Sequence, residues 1–142
     1  VENGLEEDIK ENFKSYNVGF HRHQPEIRDF LKTEFNLDHE IIFIPHLLPL
    51  FRGEYVTLYC EVTKNDLNLN DLYENYYESH KLVRIKEKGE IAEIKDVINT
   101  FYCDISLSYA FQSNTIVINS AIDNLLKGAA SQAIQCLDIM SS

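Results

Sequence analysis

Apolar side chains at Ile27, Phe30, Leu31 and Phe35 recur every three to four positions, which gathers them on one helical face. Pro25 and Glu26 suit the first turn, so the pattern predicts a helix over residues 25–35. A continuous apolar run at residues 41–44, stopped by Pro45, predicts a short buried strand. The period then drops to two. Val56, Leu58, Cys60 and Val62 point one way while Tyr55, Thr57, Tyr59 and Glu61 point the other, which predicts a strand with one face in the core. Asn70 or Asp71 can cap a helix bearing Leu72, Tyr73, Tyr76 and Tyr77, and residues 82–85 predict another short strand after it. Residues 86–95 are charged, contain Gly89 and are expected to be an exposed loop.

The longest alternation sets Phe101, Cys103, Ile105, Leu107, Tyr109 and Phe111 against Tyr102, Asp104, Ser106, Ser108 and Ala110. A turn at residues 112–114 leads to a partner strand at 115–119. Ile122, Leu126, Ala129, Ala133, Leu137 and Met140 then predict a terminal helix over residues 121–139, with Ser120 and Asp123 as its capping box. Strands mixed with three helices and no internal repeat point to an α+β domain. Its expected core is a mainly antiparallel or mixed sheet covered by helices on one face, with the outer face, bearing Tyr, Thr and Ser, open to another subunit.

A chain of 142 residues with 44% hydrophobic residues can bury an ordinary core. The formal charge of −10 argues against a nucleic-acid partner, because the cations are scattered among acids and form no basic face. Cys60, Cys103 and Cys136 are odd in number and lack close spacing, which speaks against a disulfide framework or a zinc site and for a reducing cytoplasm. No run approaches the roughly 20 apolar residues of a membrane helix, and the acidic start is not a secretory signal. Beginning at Val1, the chain looks like a piece of a longer polypeptide.

Three places carry candidate chemistry. His21, Arg22 and His23 lie directly before a helix start, where imidazoles can move protons and the helix end favours an anion. Arg52 stands beside Gly53 in a Pro-bounded stretch that also holds His46, and its planar fork suits a carboxylate or phosphate. Asp123 and Asn124 lie in the opening turn of the terminal helix, and Lys127-Gly128-Ala129-Ala130 gives that helix a small-residue face. Each has a structural alternative: ring-to-backbone bonds at a helix start, a turn arginine, and side chains that satisfy the free N–H groups of a first turn.

The blocks Gly19-Phe20-His21-Arg22-His23-Gln24-Pro25-Glu26-Ile27 and Ile122-Asp123-Asn124-Leu125-Leu126-Lys127-Gly128-Ala129-Ala130 resemble the N-acetyl-gamma-glutamyl-phosphate reductase family. So do Glu11-Asn12-Phe13, Pro45-His46-Leu47-Leu48-Pro49-Leu50-Phe51-Arg52-Gly53 and Tyr102-Cys103-Asp104-Ile105, in the same order. The resemblance implies a fold like the C-terminal domain of glyceraldehyde-3-phosphate dehydrogenase. It also implies an NADPH-dependent step of arginine biosynthesis in which a thiolate displaces phosphate and the resulting thioester accepts hydride. By this likeness His23 is the acid–base group with His21 in support, Arg52, His46 and Arg22 contact the substrate, and Asn124 meets the nicotinamide carboxamide of NADP. The expected partners are a small acyl phosphate and further copies of the chain.

The family's Pro-Gly-Cys-Tyr nucleophile segment and the Gly-rich dinucleotide fingerprint do not occur here. Phe101, Ser131 and Cys136 also depart from the residues common in the family. The resemblance therefore covers only a catalytic and dimerisation domain at residues 1–120 and a helix at 121–142 that would pack on an N-terminal NADP-binding domain. A lysine-pathway relative, whose substrate is one methylene longer, and a non-catalytic dimerisation module of the same fold are the competing readings. With neither a nucleotide loop nor a thiolate nucleophile, the isolated 142 residues are expected to show no NADPH-dependent turnover in a reductase assay. Measurable turnover would overturn the assignment of a separate nucleophile-bearing half.

Overall fold

The structure, a computed structural model, describes residues 10–63, 68–110 and 114–141. The chain divides into two compact units, residues 1–50 and 51–142. In the first, β1 (Lys14–Ser15) pairs antiparallel with β2 (His46–Leu47), and α1 (His23–Phe35) lies between them in sequence. The predicted helix is present and starts two residues early. It stops at Asn36, whose left-handed backbone (φ 54) lets its N–H reach Lys32 O at 3.1 Å while Leu37 N–H reaches Leu31 O at 3.1 Å.

The strand expected at residues 41–44 is not formed. No strand among the described residues pairs with it, and Ile42 and Ile44 face outward while Ile41 and Phe43 are half-buried. An apolar run guarantees neither a ladder nor burial when no neighbouring strand is available to it.

The second unit is built on a four-stranded mixed sheet in the order β3 (Glu54–Glu61), β6 (Thr115–Ile122), β5 (Cys103–Tyr109), β4 (Val83–Ile85). β4 runs parallel to β5, and the other pairs are antiparallel. The expected turn into β6 at Gln112 and Ser113 lies outside the described residues.

One face of the sheet packs against α2 (Leu69–Tyr77). Ile105, Leu107 and Ile118 meet Leu69, with Tyr73, Tyr77, Val83 and Ile85 completing the cluster. The α2 cap is Asn68, which accepts from Asp71 N–H at 3.5 Å, rather than Asn70 or Asp71. Only Asn68 lies ahead of the first helical residue with extended backbone, the geometry a capping oxygen needs.

The opposite face does not match the open polar surface expected from the alternation. Asp104 and Ser106 are both 0% exposed. Arg84 grips the Asp104 carboxylate with Nε at 2.6 Å and Nη2 at 2.9 Å, and Ser106 Oγ accepts Ala92 N–H at 3.0 Å. A short helical turn, Ile94–Asp96, follows, and Ala92 and Val97 close on Ala121 in a second small core. Residues 86–95 are thus partly a lid on the sheet.

β3 corrects another expectation, since all eight of its residues are exposed, Leu58 at 48% and Tyr59 at 73%. It borders the sheet and, among the described residues, pairs only with β6; Val56 and Leu58 share the sheet face of Ile118 but lie outside the cluster that α2 covers.

The terminal helix also begins later than predicted. Ala121 and Ile122 finish β6, a π-helical turn spans Leu126–Ala130, and α3 runs Ser131–Ser141. A Cβ on Gly128 would sit 3.3 Å from Ile122 Cδ1, so this turn passes close under the strand it leaves. Ile134, Leu137 and Met140 on α3 are exposed. Among the described residues no helix is long and apolar enough to cross a membrane.

The burial contrast gives a direct test. Ile118→Ala is expected to cost about 2–5 kcal/mol in urea unfolding, and Val56→Ala on the open strand about 1 kcal/mol or less. Equal losses would contradict the described core.

Candidate functional site

Two groups of candidate residues form, one in each unit. In the first unit Gly19 (φ 81) turns the chain so that His21 tucks under the start of α1, where it is only 9% exposed. Its Nδ1 accepts the backbone N–H of His23 at 3.2 Å, and its carbonyl accepts the N–H of Gln24 at 3.0 Å. An accepting Nδ1 is unprotonated, which puts the proton of the neutral imidazole on Nε2. The ring lies among Tyr16 (centroids 5.5 Å apart), Phe43 (5.1 Å) and His23 (4.6 Å).

His23, the first residue of α1, keeps an exposed ring. Arg22 makes no hydrogen bond or ion pair among the described residues. A cleft of ≈ 330 Å³ is lined by His21, Arg22, Gln24, Arg28 and Glu40, among others. Arg28 is held by Asp38 at 3.1 Å and Glu40 at 3.5 Å, which leaves Arg22 as the uncompensated cation on this wall. An exposed imidazole and a free guanidinium at the positive end of a helix can move a proton and hold an anion. His46 is placed differently, on β2, its ring stacked on Phe13 at 4.9 Å.

In the second unit the centre is Asp123, which is 0% exposed. Its Oδ1 accepts from Leu125 N–H at 2.9 Å, Leu126 N–H at 3.0 Å and Arg52 Nη2 at 3.0 Å, and its Oδ2 accepts from Asn99 N–H at 2.8 Å. Burial works against the charged form, yet the N–H groups of Asn99, Leu126 and Leu125 and the Arg52 guanidinium outweigh it and hold the pKa below the ordinary carboxylate value. Arg52 Nη1 donates to Asn99 Oδ1 at 2.8 Å, and Nε is buried without a partner among the described residues.

The fork that the sequence offered to a substrate anion is therefore turned onto internal acceptors. Only the capped N–H groups were legible beforehand. Ser120 takes no part in this cap and lies instead 3.4 Å from Cys103 Sγ.

Asn124 opens a turn rather than a helix, and its Oδ1 accepts the N–H of Gly53 at 2.7 Å. Gly53 is required there, because its backbone (φ 116) is one that side chains rarely adopt and a Cβ would collide with Ile94. The sequence showed Arg52-Gly53 and Asp123-Asn124 as separate pairs 71 residues apart, with nothing to say that they meet. Asn99, with φ 60, was not singled out at all. A second cleft of ≈ 480 Å³ has its cations Arg84 and Lys86 faced by Glu90, Asp96 and Asp104, so it offers no uncompensated cation to an anion.

A family profile described as the dimerisation domain of semialdehyde dehydrogenase matches residues 2–124. The chain belongs to that family. Proteins named N-acetyl-gamma-glutamyl-phosphate reductase are its relatives. That of Brachyspira hyodysenteriae is 42% identical over 135 residues, covering 93% of this chain and 38% of the relative. Those of a Clostridium botulinum strain and a Thermoanaerobacter species are 43% and 36% identical over 92% and 98% of this chain, and 38% and 41% of their own lengths.

The chain thus spans about two fifths of the length of these relatives. Among solved structures, aspartate semialdehyde dehydrogenase from Francisella tularensis superposes with a TM-score of 0.71 at 13% identity, covering 94% of this chain and 40% of that one. Aspartate semialdehyde dehydrogenase II from Vibrio cholerae gives 0.67 at 14% identity, covering 90% and 39%. These likenesses establish the shared α+β fold.

Because Asp123 is stabilised as a carboxylate in the fold, its contribution is complete above the unfolded carboxyl value near 4 and is lost as pH falls through the lower folded value. Asp123→Asn should cost about 3 kcal/mol at pH 7. The gap between variant and parent in urea unfolding should narrow as pH drops below about 4. A gap independent of pH would remove Asp123 from the set of ionised, bonded groups.

Proposed function

We propose that this chain is the C-terminal part of an NADPH-dependent N-acetyl-gamma-glutamyl-phosphate reductase, which turns an acyl phosphate into a semialdehyde. The observation that supports this most directly is the 36–43% identity to reductases of that name along nearly the whole chain, with His21, Arg22 and His23 gathered at one helix start. NADPH supplies hydride when bound, and the nucleophilic thiol belongs to a segment outside these residues. We assign that role to none of the chain's own Cys60, Cys103 and Cys136, because the family's nucleophile segment is not among these residues.

The two histidines divide the work. His21 holds the first N–H of α1 through Nδ1 and is enclosed by Tyr16 and Phe43, so it orients the segment. His23 keeps a solvent-reachable ring that can take the proton of an attacking thiol and return one to the oxygen of the reduced carbon. Arg22 is the cation placed to hold the departing phosphate.

Arg52 and Asp123 orient Asn124, whose amide faces the cofactor. The open strand β3, with Tyr55, Thr57 and Tyr59, is the face we assign to a second copy, in keeping with the family's description as a dimerisation domain. The exposed Ile134, Leu137 and Met140 of α3 are assigned to the nucleotide-binding part of the same polypeptide.

In the full-length protein, His23→Asn should lower turnover by about 10²–10⁴-fold with the thermal midpoint retained. Full turnover in that variant together with its loss in His21→Asn would exchange the two roles. Survival of both variants would end the catalytic reading of the segment.

A further inference from the structure

We propose that Phe43 is a positioning residue for the acid–base group, an aromatic backstop that fixes the direction of the His23 ring. The inference rests on the reductase reading above and adds to it the element that holds the imidazole in place. Among the described residues the His23 ring makes no hydrogen bond. What it meets is two other rings, His21 at 4.6 Å with 78° between the planes and Phe43 at 5.9 Å with 65°. Both are edge-on arrangements at distances where aromatic pairs attract. An exposed imidazole without such contacts spreads over several staggered rotamers, and only those aimed at the reacting atoms are productive.

Phe43 touches both histidines. It lies 5.1 Å from His21 and 5.9 Å from His23, so a single side chain sets the two rings relative to each other. His21 already has a polar tether, the bond from His23 N–H to its Nδ1. The His23 ring has none, and Phe43 supplies the support it lacks.

The segment that carries Phe43 is built to hold it there. Residues 41–44 form no strand yet keep a period of two, with Ile41 and Phe43 half-buried and Ile42 and Ile44 facing outward. Ile41 joins His21 and Arg22 on the wall of the ≈ 330 Å³ cleft, while Phe43 backs the histidine rings. The segment is fastened at both ends. Ahead of it Asp38 is bound by Arg28 and Lys32, each at 3.1 Å, and Glu40 by Arg28 at 3.5 Å. Behind it Pro45 O accepts Tyr16 N–H at 3.1 Å, and the ladder of β1 with β2 begins at the next residue. An extended strap held in this way gives Phe43 little room to withdraw.

The test uses the full-length protein and steady-state turnover with N-acetylglutamate semialdehyde, phosphate and NADP. Phe43→Leu keeps an apolar side chain and removes the ring. It should lower kcat about tenfold or more and leave KM for the semialdehyde within about twofold of the parent, since the loss falls on the orientation of a reacting group rather than on binding. Phe43→Tyr restores the ring and should return kcat to within about twofold of the parent. In a His23→Asn background, Phe43→Leu should add no further loss, as expected of a residue acting through its neighbour.

Thermal midpoints identify any variant that fails to fold. Where Phe43→Leu does, Phe43→Met fills the space without a ring and carries the same expectations. Parent-level kcat in the ringless variant, a loss that Phe43→Tyr does not repair, or a further loss in the His23→Asn background would overturn the proposal and leave the reductase reading intact. A parent protein without turnover of the semialdehyde would overturn both.

Discussion

The second unit of this chain depends on one buried carboxylate. A carboxylate taken out of water costs several kcal/mol unless its lone pairs are met, and Asp123 meets that demand with three backbone N–H groups and one guanidinium. Those donors come from residues 52, 99, 125 and 126, so satisfying a single charge joins the entry to β3, the turn before β5 and the exit from β6. Asn99 adopts a left-handed backbone and Gly53 a conformation that side chains rarely reach, both at the points where these segments converge. Asn124 inherits its orientation from this junction.

The two faces of the sheet are held by different physics. Against α2 the contacts are apolar and non-directional, with Ile105, Leu107 and Ile118 meeting Leu69. Under residues 86–100 the same strand, β5, turns inward Asp104 and Ser106, which stay buried because Arg84 and the Ala92 amide supply their bonds. β3 shares neither cover. An eight-residue border strand with exposed apolar and aromatic side chains is an invitation to pairing or packing, and a family described as a dimerisation domain has a use for one.

In the first unit, backbone geometry separates two histidines that composition makes equal. His21 is tied through Nδ1 to the start of α1, while His23, two residues on, points its ring outward. A group whose nitrogen is committed to the backbone suits orientation, and one open to solvent suits proton transfer. Arg22 between them has no ion-pair partner among the described residues beside the cleft, whereas Arg28 in the next turn is paired with Asp38 and Glu40.

Local periodicity determined much of this protein. The helix of Ile27 and Leu31, the helix of Tyr73 and Tyr77, and the three strands holding Leu58, Ile105 and Ile118 follow from spacing, because a side chain's direction is set by its own few neighbours along the chain. The order of motifs, with His21, Arg22 and His23 placed before a helix start, was likewise legible.

Burial and partnership were decided by the tertiary structure. The alternation in β5 looks the same whether Asp104 meets water or Arg84, and the alternation in β3 looks the same whether Leu58 meets a helix or nothing. Ala121 and Ile122 fit a helical stripe equally well but pair with Tyr55 and Glu54 as strand. Arg52 has the chemistry to hold a substrate anion, and it holds Asp123 because the fold closes a separation of 71 residues that no local pattern reports. A sequence specifies what each side chain can bond to, and only the packed chain settles which of those partners arrives.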